Sequence, residues 1–422
     1  MKRYPLPRYV DTCYDSLVKI FDKYSARWYA LEVILGASSF LQKLQLDQSQ
    51  PSILPKIRLE GGSNDAPLRE QVEILQTACP DDVYLKDVRL KPLRIGWKHV
   101  TQAVIYGFQV DEFLELLRLA TRLQFLDIRR TSVSERHRQK LNIPVDFVKH
   151  EQLRILNIHF VDNGARDALF LSKINLPSLK YLCYNSDKFV VPTELKNLLI
   201  RCACPLQTLA LACHFNGEDE ITPVLEVIPT LRHLELKPYH GSDYLSNNIF
   251  PLLFRTCLQS PNNPEQVAFL PNPEFLNCYS GSPISWRATS KIFGRISELG
   301  VPYRRPLRTV QIGFQCEASG FCHATLDLSQ KSQNYLVDKE IIPQILSLKK
   351  AGLNIQFYSL DPEIRCLYKL FDLLDRSMRY HDIPVQEKED LNCHFESNLP
   401  GCLPTVGRPF LKFWEELGRF AL

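Results

Sequence analysis

One six-residue pattern, Leu-x-x-Leu-x-Leu, returns along this chain, and its return limits the possible folds more than any other feature. With Ile or Val allowed, it runs through Leu41, Leu44 and Leu46, then Leu123, Leu126 and Ile128, then Leu153, Leu156 and Ile158. Further copies run through Leu206, Leu209 and Leu211, through Leu231, Leu234 and Leu236, and through Leu307, Val310 and Ile312. The copy at Leu179 and Leu182 ends in Tyr184, and a weaker one passes through Val100, Ala103 and Ile105. In each copy the fourth and sixth residues fall on one face of a short strand and the residues between them on the other.

From Leu153 the copies start again at Leu179, Leu206 and Leu231, a step of roughly 26 residues, inside the leucine-rich-repeat range of about 20–29. One such strand cannot bury its apolar side alone, whereas stacked neighbours can. The segments between strands carry helical periodicity. Asp111 is placed to cap a helix with Phe113, Leu116, Leu117 and Ala120 on one face. Thr222 and Pro223 read as N-cap and first helical residue, and Thr193 opens a helix that groups Leu195, Leu198 and Leu199. The expected fold class is therefore α/β, a leucine-rich-repeat-like solenoid with parallel strands on one side and helices or helical turns on the other. The repeats are irregular. The ninth position, where Asn or Cys usually bonds across repeats, holds Ser49, Thr131, Val161, Asp187, His214, Tyr239 and Gln315.

The expected organisation has three parts. Residues 1–40 form an N-terminal helical cap or remnant, with helical periodicity over residues 11–38. Residues 41–360 form the solenoid, interrupted at about 259–306 by a loop-rich excursion full of Pro, Asn, Ser and Gly, with room for a degenerate strand near 266–270. Residues 361–422 form a C-terminal helical cap or tail; Ile364, Leu367, Phe371, Leu374 and Met378 share one helical face there, as do Phe410, Phe413, Trp414, Leu417 and Phe420. Just before that tail, a helix over 338–352 stopped by Gly352 leads into a strand at 353–358.

A solenoid sheet binds through the strand face turned away from its core, and alternation assigns that face directly. Its candidate contact residues are Tyr106, Phe125, Asp127, Arg129, Asn157, His159, Tyr181, His233, Glu235 and Lys237. Aromatic residues and Arg are the types that dominate protein–protein hot spots.

Charge and composition narrow the partners. With 51 basic and 47 acidic side chains the formal charge is only +4, too small a surplus to point to nucleic acid or a membrane surface. No apolar run is long enough to span a bilayer. The start "MKRYPLPRYV" lacks the apolar core of a secretory signal, there is no Asn-x-Ser/Thr sequon, and the 13 cysteines are scattered without a Cys-x-x-Cys pair. A cytoplasmic or nuclear location is expected.

No catalytic motif is present: no Gly-x-Ser-x-Gly elbow, no phosphate loop and no His-Glu-x-x-His. Cys316, Cys322, His323, Cys393, His394 and Cys402 have no zinc-site spacing, so no metal and no cofactor is expected.

The segment "YSARWYALEV" (24–33) resembles the "H-S-x-R-W-x-x-L-x-L" stretch of the fungal, mushroom-type F-box proteins with irregular leucine-rich repeats. "PLRIGWKHVTQAVIYGFQVDEFLELLRLATRLQFLDI" (92–128), "VKHEQLRILNI", "INLPSLKYLCY" and "VIPTLRHLEL" are similar to the later repeats of that family. The F-box, which opens with "L-P-x-E" in the family, has no counterpart here; "YDSLVKIFDKY" (14–24) lacks its Leu-Pro. The resemblance implies the substrate-recognition half of an adaptor that joins a protein substrate to a cullin-type ubiquitin ligase. A stand-alone scaffold or decoy without ligase contact is the alternative expectation.

Overall fold

The structure is a computed structural model; it describes residues 29–35, 54–61, 78–88, 90, 93, 95–129, 146–160, 164–189, 192–214, 221–238, 249–255, 269–280, 285–293, 306–315, 336–360 and 371–383. The chain divides into two compact units, Met1–Ser377 and Met378–Leu422, and the sheet described below belongs to the first.

The strands are β1 (Ala30–Leu35), β2 (Lys56–Gly61), β3 (Asp82–Lys86), β4 (Gln102–Tyr106), β5 (Phe125–Arg129), β6 (Val148–Lys149), β7 (Ile155–Phe160), β8 (Ile174–Asn175), β9 (Tyr181–Phe189), β10 (Thr208–His214), β11 (His233–Pro238), β12 (Phe275–Ser280), β13 (Thr309–Gln315), β14 (Asn354–Leu360) and β15 (Phe371–Asp372). Thirteen of them form one open sheet in the order β1-β2-β3-β4-β5-β7-β9-β10-β11-β12-β13-β14-β15, so almost every strand lies beside its predecessor in the chain. Twelve run parallel, and β15 closes the far edge antiparallel to β14. β6 and β8 make a separate two-stranded parallel sheet.

The leucines of the sequence pattern fall on neighbouring rungs. Leu126 pairs with Leu156, Leu156 with Leu182, Leu182 with Leu209 and Leu209 with Leu234. Leu276, Val310 and Ile355 continue the row. All of these side chains are buried, at roughly 1.5–3 kcal/mol of transfer free energy each. Register is held by the backbone at most strand entries. The Gln124 and Phe125 amides both donate to Thr101 O, those of Arg154 and Ile155 to Gln124 O, those of Lys180 and Tyr181 to Arg154 O, and those of Arg232 and His233 to Gln207 O.

Parallel strands need crossovers, and helices supply most of them: α1 (Val110–Leu119), α2 (Gly164–Lys173), α3 (Pro192–Cys202), α4 (Thr222–Glu226), α5 (Phe250–Arg255), α6 (Trp286–Lys291), α7 (Ile342–Lys350) and, beyond β15, α8 (Leu373–Tyr380). Phe113 of α1 meets Phe170 of α2 edge-on with ring centroids 6.2 Å apart. Trp286 of α6 meets Phe314 and Phe357 at 5.5 and 4.8 Å. Because Phe314 and Phe357 share the face of Val310 and Ile355, the helices cover the leucine side of the sheet.

Several elements differ from expectation. Of the stretch 11–38 expected to be helical, residues 11–28 and 36–38 lie outside the described residues, and Ala30–Leu35 form strand β1, in which Leu31, Val33 and Leu35 pair with Ile57, Leu59 and Gly61. Helix α1 is closed at its start by Glu112 rather than Asp111: Glu112 Oε2 accepts the Gln109 amide at 3.0 Å while Oε1 accepts that of Leu90 at 3.1 Å. The expected N-cap Thr222 is already helical in α4, with Ile221 at the cap position. The stretch 259–306 contains strand β12 and helix α6, and the strand begins at Phe275 rather than near 266–270. Phe371 begins the short β15 and Leu374 lies in α8. Helix α7 and strand β14 follow expectation, with Gly352 between them at φ +93°. The copy at Leu41, Leu44 and Leu46, the ninth-position residues Ser49, Thr131, Val161 and Tyr239, and residues Ile364, Leu367, Phe410, Phe413, Trp414, Leu417 and Phe420 lie outside the described residues.

One buried polar group ties a helix to the sheet. Tyr184 stands where other copies carry leucine, and its hydroxyl donates to Asp167 Oδ2 of α2 at 3.0 Å; Ser186 Oγ donates to the same atom at 3.3 Å. Burial pushes the Asp167 carboxyl up to about 6, against these two hydrogen bonds. A carboxyl whose folded value is raised binds more protons in the folded state, so it destabilises the fold as pH rises from about 4 through about 6. Asp167→Asn is expected to remove that part of the pH dependence, worth at most roughly 3 kcal/mol, and to leave the variant more stable than the parent at pH 7.5. Urea titrations of both proteins at pH 4.5 and pH 7.5 check this; parallel shifts between the two pH values would refute it.

Candidate binding face

Strand alternation sends the remaining side chains to the opposite face of the sheet, where register sorts them into three rows. The first row includes Lys56, Asp82, Gln102, Phe125, Ile155, Tyr181, Thr208, His233, Phe275, Thr309 and Asn354. The middle row includes Arg58, Tyr84, Val104, Asp127, Asn157, Cys183, Ala210, Glu235, Asn277, Gln311 and Gln356 on the same rungs. In the third, Glu60, Lys86, Tyr106, Arg129, His159, Asn185 and Ala212 pair in turn. Beyond them, Tyr279, Gly313 and Tyr358 do the same.

The ten residues expected from the sequence all stand on this face, in two groups. Tyr106, Phe125, Asp127, Arg129, Asn157, His159 and Tyr181 occupy β4, β5, β7 and β9. His233, Glu235 and Lys237 occupy β11. Between the groups, β10 presents only the small side chains Thr208, Ala210 and Ala212.

The first group is wired together. Arg129 Nε donates to Asp127 Oδ2 at 2.9 Å, Nη2 lies 2.7 Å from the same oxygen, and Nη1 donates to the Tyr106 hydroxyl at 2.6 Å. His159 Nε2 stands 3.9 Å from Asp127 Oδ1, too far for a hydrogen bond. Burial, with Arg129 nearby, lowers the His159 value, against the pull of Asp127. In the second group, burial pushes Glu235 up to about 7, and Lys237 only partly offsets it. The Lys237 ammonium lies 5.4 Å from the Tyr279 ring centroid, and Thr208 Oγ1 is 3.5 Å from His233 Nδ1.

Sequence reasoning missed a third group on β2 and β3. The Arg58 guanidinium lies 4.5 Å from the Tyr84 ring centroid, Tyr84 is 5.5 Å from Tyr106, and Arg129 is 5.3 Å from Tyr106 on the far side. The result is a run of cation, ring, ring, cation across four strands. Arg58 also bonds Glu60 at 2.6 Å and faces Glu32 at 3.3 Å, and Lys86 reaches Glu60 at 3.4 Å. Exposed pairs of this kind are worth no more than about 1 kcal/mol each, so they orient the rings more than they hold the fold. The signal was available: "LPKIRL" obeys the six-residue pattern through Leu54, Ile57 and Leu59, and Val83 and Leu85 alternate in β3. A fourth group joins Asn277 and Tyr279 of β12, hidden by the Pro- and Asn-rich segment before them, to Tyr358 of the expected strand β14.

Among the described residues no group of three or more His, Cys, Asp or Glu could hold a metal ion. The sequence candidates Cys316, Cys322, His323, Cys393, His394 and Cys402 lie outside those residues. No helix among the described residues is long and apolar enough to cross a membrane.

What the fold and the face define together is an open parallel α/β sheet with helices on one side and a wall of polar and aromatic side chains on the other. No family model and no curated protein matches the chain.

Proposed function

We propose that this chain is a non-catalytic, leucine-rich-repeat-like solenoid that binds another protein through the outward strand face. The observation that carries the reading is the contact run Arg58, Tyr84, Tyr106 and Arg129, flanked by Phe125 and Tyr181. Half-buried tyrosine and arginine side chains, already ordered by their neighbours, lose little further freedom when a partner covers them. Parallel strands in chain order, most of them preceded by the same amide pair, are what stacked repeats of about 26 residues predict. On the resemblance to the fungal F-box proteins, the bound protein is a substrate for a cullin-type ubiquitin ligase, in the cytoplasm or nucleus. The reading includes no nucleic-acid, membrane or cofactor partner.

Affinity purification with mass spectrometry, run on the parent and on a Phe125→Ala/Tyr181→Ala variant of matched circular dichroism, tests it. A defined set of proteins, depleted at least tenfold on the variant, is expected. Cullin components within that set support the ligase reading, and their absence from it favours a stand-alone scaffold. Equal recovery on both baits would remove the face from consideration.

A further inference from the structure

On the outward face, β10 is a gap between two taller groups. Across it, register aligns Tyr181, Thr208 and His233, then Cys183, Ala210 and Glu235, then Asn185, Ala212 and Lys237. Ala210 and Ala212 have no atom beyond Cβ, so the strand leaves a notch with an apolar floor, walled by β9 on one side and β11 on the other. Glu235 stands on the β11 wall, half-buried and still open to a partner.

Asp127 and Glu60 on the same face are matched by Arg129 and Arg58. Glu235 is not: among the described residues it has no hydrogen bond and no ion pair. Lys237, two residues on, sets its ammonium 5.4 Å from the Tyr279 ring centroid instead. Asn277, the partner of Glu235 on β12, is bonded to the Tyr279 and Tyr358 hydroxyls. A protein that covers β10 and β11 strips the water Glu235 still has. The carboxylate must then be matched by a cation or take up a proton.

The notch decides between the two. A protonated acid needs only a flat cover, whereas a basic side chain needs a trough for its methylene stem. Such stems lie along apolar surface with the charged head at its edge, and the alanine floor beside Glu235 supplies that surface. Of the titratable groups around Glu235, Tyr181 and Cys183 face it across β10, His233 and Lys237 lie on its own strand, and Tyr279 lies on β12. Burial keeps the Tyr181 hydroxyl and the Cys183 thiol protonated and lowers His233, so Lys237 is the cation among them, and it is turned to Tyr279.

We propose that the partner of this face seats a lysine or arginine side chain in the β10 notch, its stem over Ala210 and Ala212 and its charge against Glu235. This rests on the protein-binding reading above and narrows it to one anchoring contact.

The test is selection of a histidine-free, phage-displayed random 12-residue peptide library against the purified full chain at pH 8. Affinities of the selected peptides, with blocked termini, are then measured on the parent and on Glu235→Gln, Ala210→Val and Phe125→Ala/Tyr181→Ala variants of matched circular dichroism. The expected peptides lose binding on Phe125→Ala/Tyr181→Ala, share a Lys or Arg at one position, and bind Glu235→Gln and Ala210→Val at least tenfold more weakly. Their binding to the parent weakens by up to about tenfold from pH 8 to pH 6, because a proton on Glu235 competes with the cation, and this dependence disappears on Glu235→Gln. Thermal unfolding at pH 8 supplies an independent readout: removing an unmatched, half-buried charge leaves the Glu235→Gln midpoint at or above that of the parent. A midpoint several degrees lower would mean that Glu235 is paired within the chain, and overturns the proposal. Peptides that depend on Phe125 and Tyr181 but share no basic residue, keep their affinity for either single variant, or fail to weaken at pH 6 overturn it too, while leaving the binding face intact. A selection that yields no peptide dependent on Phe125 and Tyr181 removes both.

Discussion

Arg129→Ala is expected to destabilise the protein by about 3 kcal/mol, a large loss for one partly exposed side chain. The reason lies in what it leaves behind. Asp127 is 1% exposed, and with Arg129 gone it faces only His159 at 3.9 Å. Stranding a buried carboxylate costs about 3–5 kcal/mol, and the lower end applies because Arg129 is 24% exposed and water can enter where it stood. The Tyr106 hydroxyl loses the guanidinium as well. Two further measurements separate this cause from lost packing. Asp127→Leu combined with Arg129→Met removes both charges and is expected to return most of the stability. The single variant should also suffer less at pH 5.5 than at pH 8. Arg129 helps hold His159 below its ordinary value; without it, His159 takes up a proton beside the unpaired Asp127. A group whose folded value rises in this way stabilises below that value and stops doing so as pH rises through it. Urea titration at both pH values decides the matter. An equal loss at each, with no recovery in the double variant, would assign the effect to packing alone.

The parts of the fold that could be read from the sequence are those where one residue type repeats at one spacing. Leu156, Leu182, Leu209 and Leu234 occupy the same slot on successive strands because each must fill the same space behind the sheet. The first slot of the pattern is less demanding. Pro80 before β3 and Pro273 before β12 occupy it and are buried there. In the leucine copies that amide bonds locally, as Leu123 does to Ala120 O and Leu231 to Ile228 O, so a proline forfeits no bond between strands. Read as part of a loop-rich stretch, Pro273 concealed β12, and with it Asn277 and Tyr279; at β3 the pattern with Pro80 in its first slot was not recognised, and Tyr84 and Lys86 were missed. Alternation alone could place Asn157 and Asp127 on the outward face. It could not reveal that they are buried there, because that depends on neighbouring strands as well as on their own. The burial of this pair is therefore a property of the assembled sheet and of no single segment.

Gly313→Ala is expected to lower stability by about 2–4 kcal/mol, although a methyl group usually helps a strand. Gly313 pairs with Tyr279 on one side and Tyr358 on the other, and the two rings meet edge to face across it with centroids 5.9 Å apart. A Cβ built on Gly313 would lie 2.6 Å from Tyr358 Cε2 and 2.9 Å from Tyr279 Cδ1, distances at which a ring must move. The rings are not free to move without loss. The Tyr358 hydroxyl donates to Asn277 Oδ1 at 3.1 Å, and Asn277 Nδ2 donates to the Tyr279 hydroxyl at 3.4 Å. Asn277 is 1% exposed, so displaced rings leave a buried carboxamide short of partners, at about 1–3 kcal/mol. The backbone entropy saved by replacing glycine is only about 0.5–1 kcal/mol, so the steric and polar losses win. If the clash is the cause, removing one ring must reverse the sign. In a Tyr358→Ala background, Gly313→Ala is expected to be neutral or stabilising, a coupling of at least about 2 kcal/mol between the two sites. Thermal and urea unfolding of the four proteins in this cycle measure it directly. Stabilisation by Gly313→Ala in the parent would mean that the two tyrosines do not meet across this glycine.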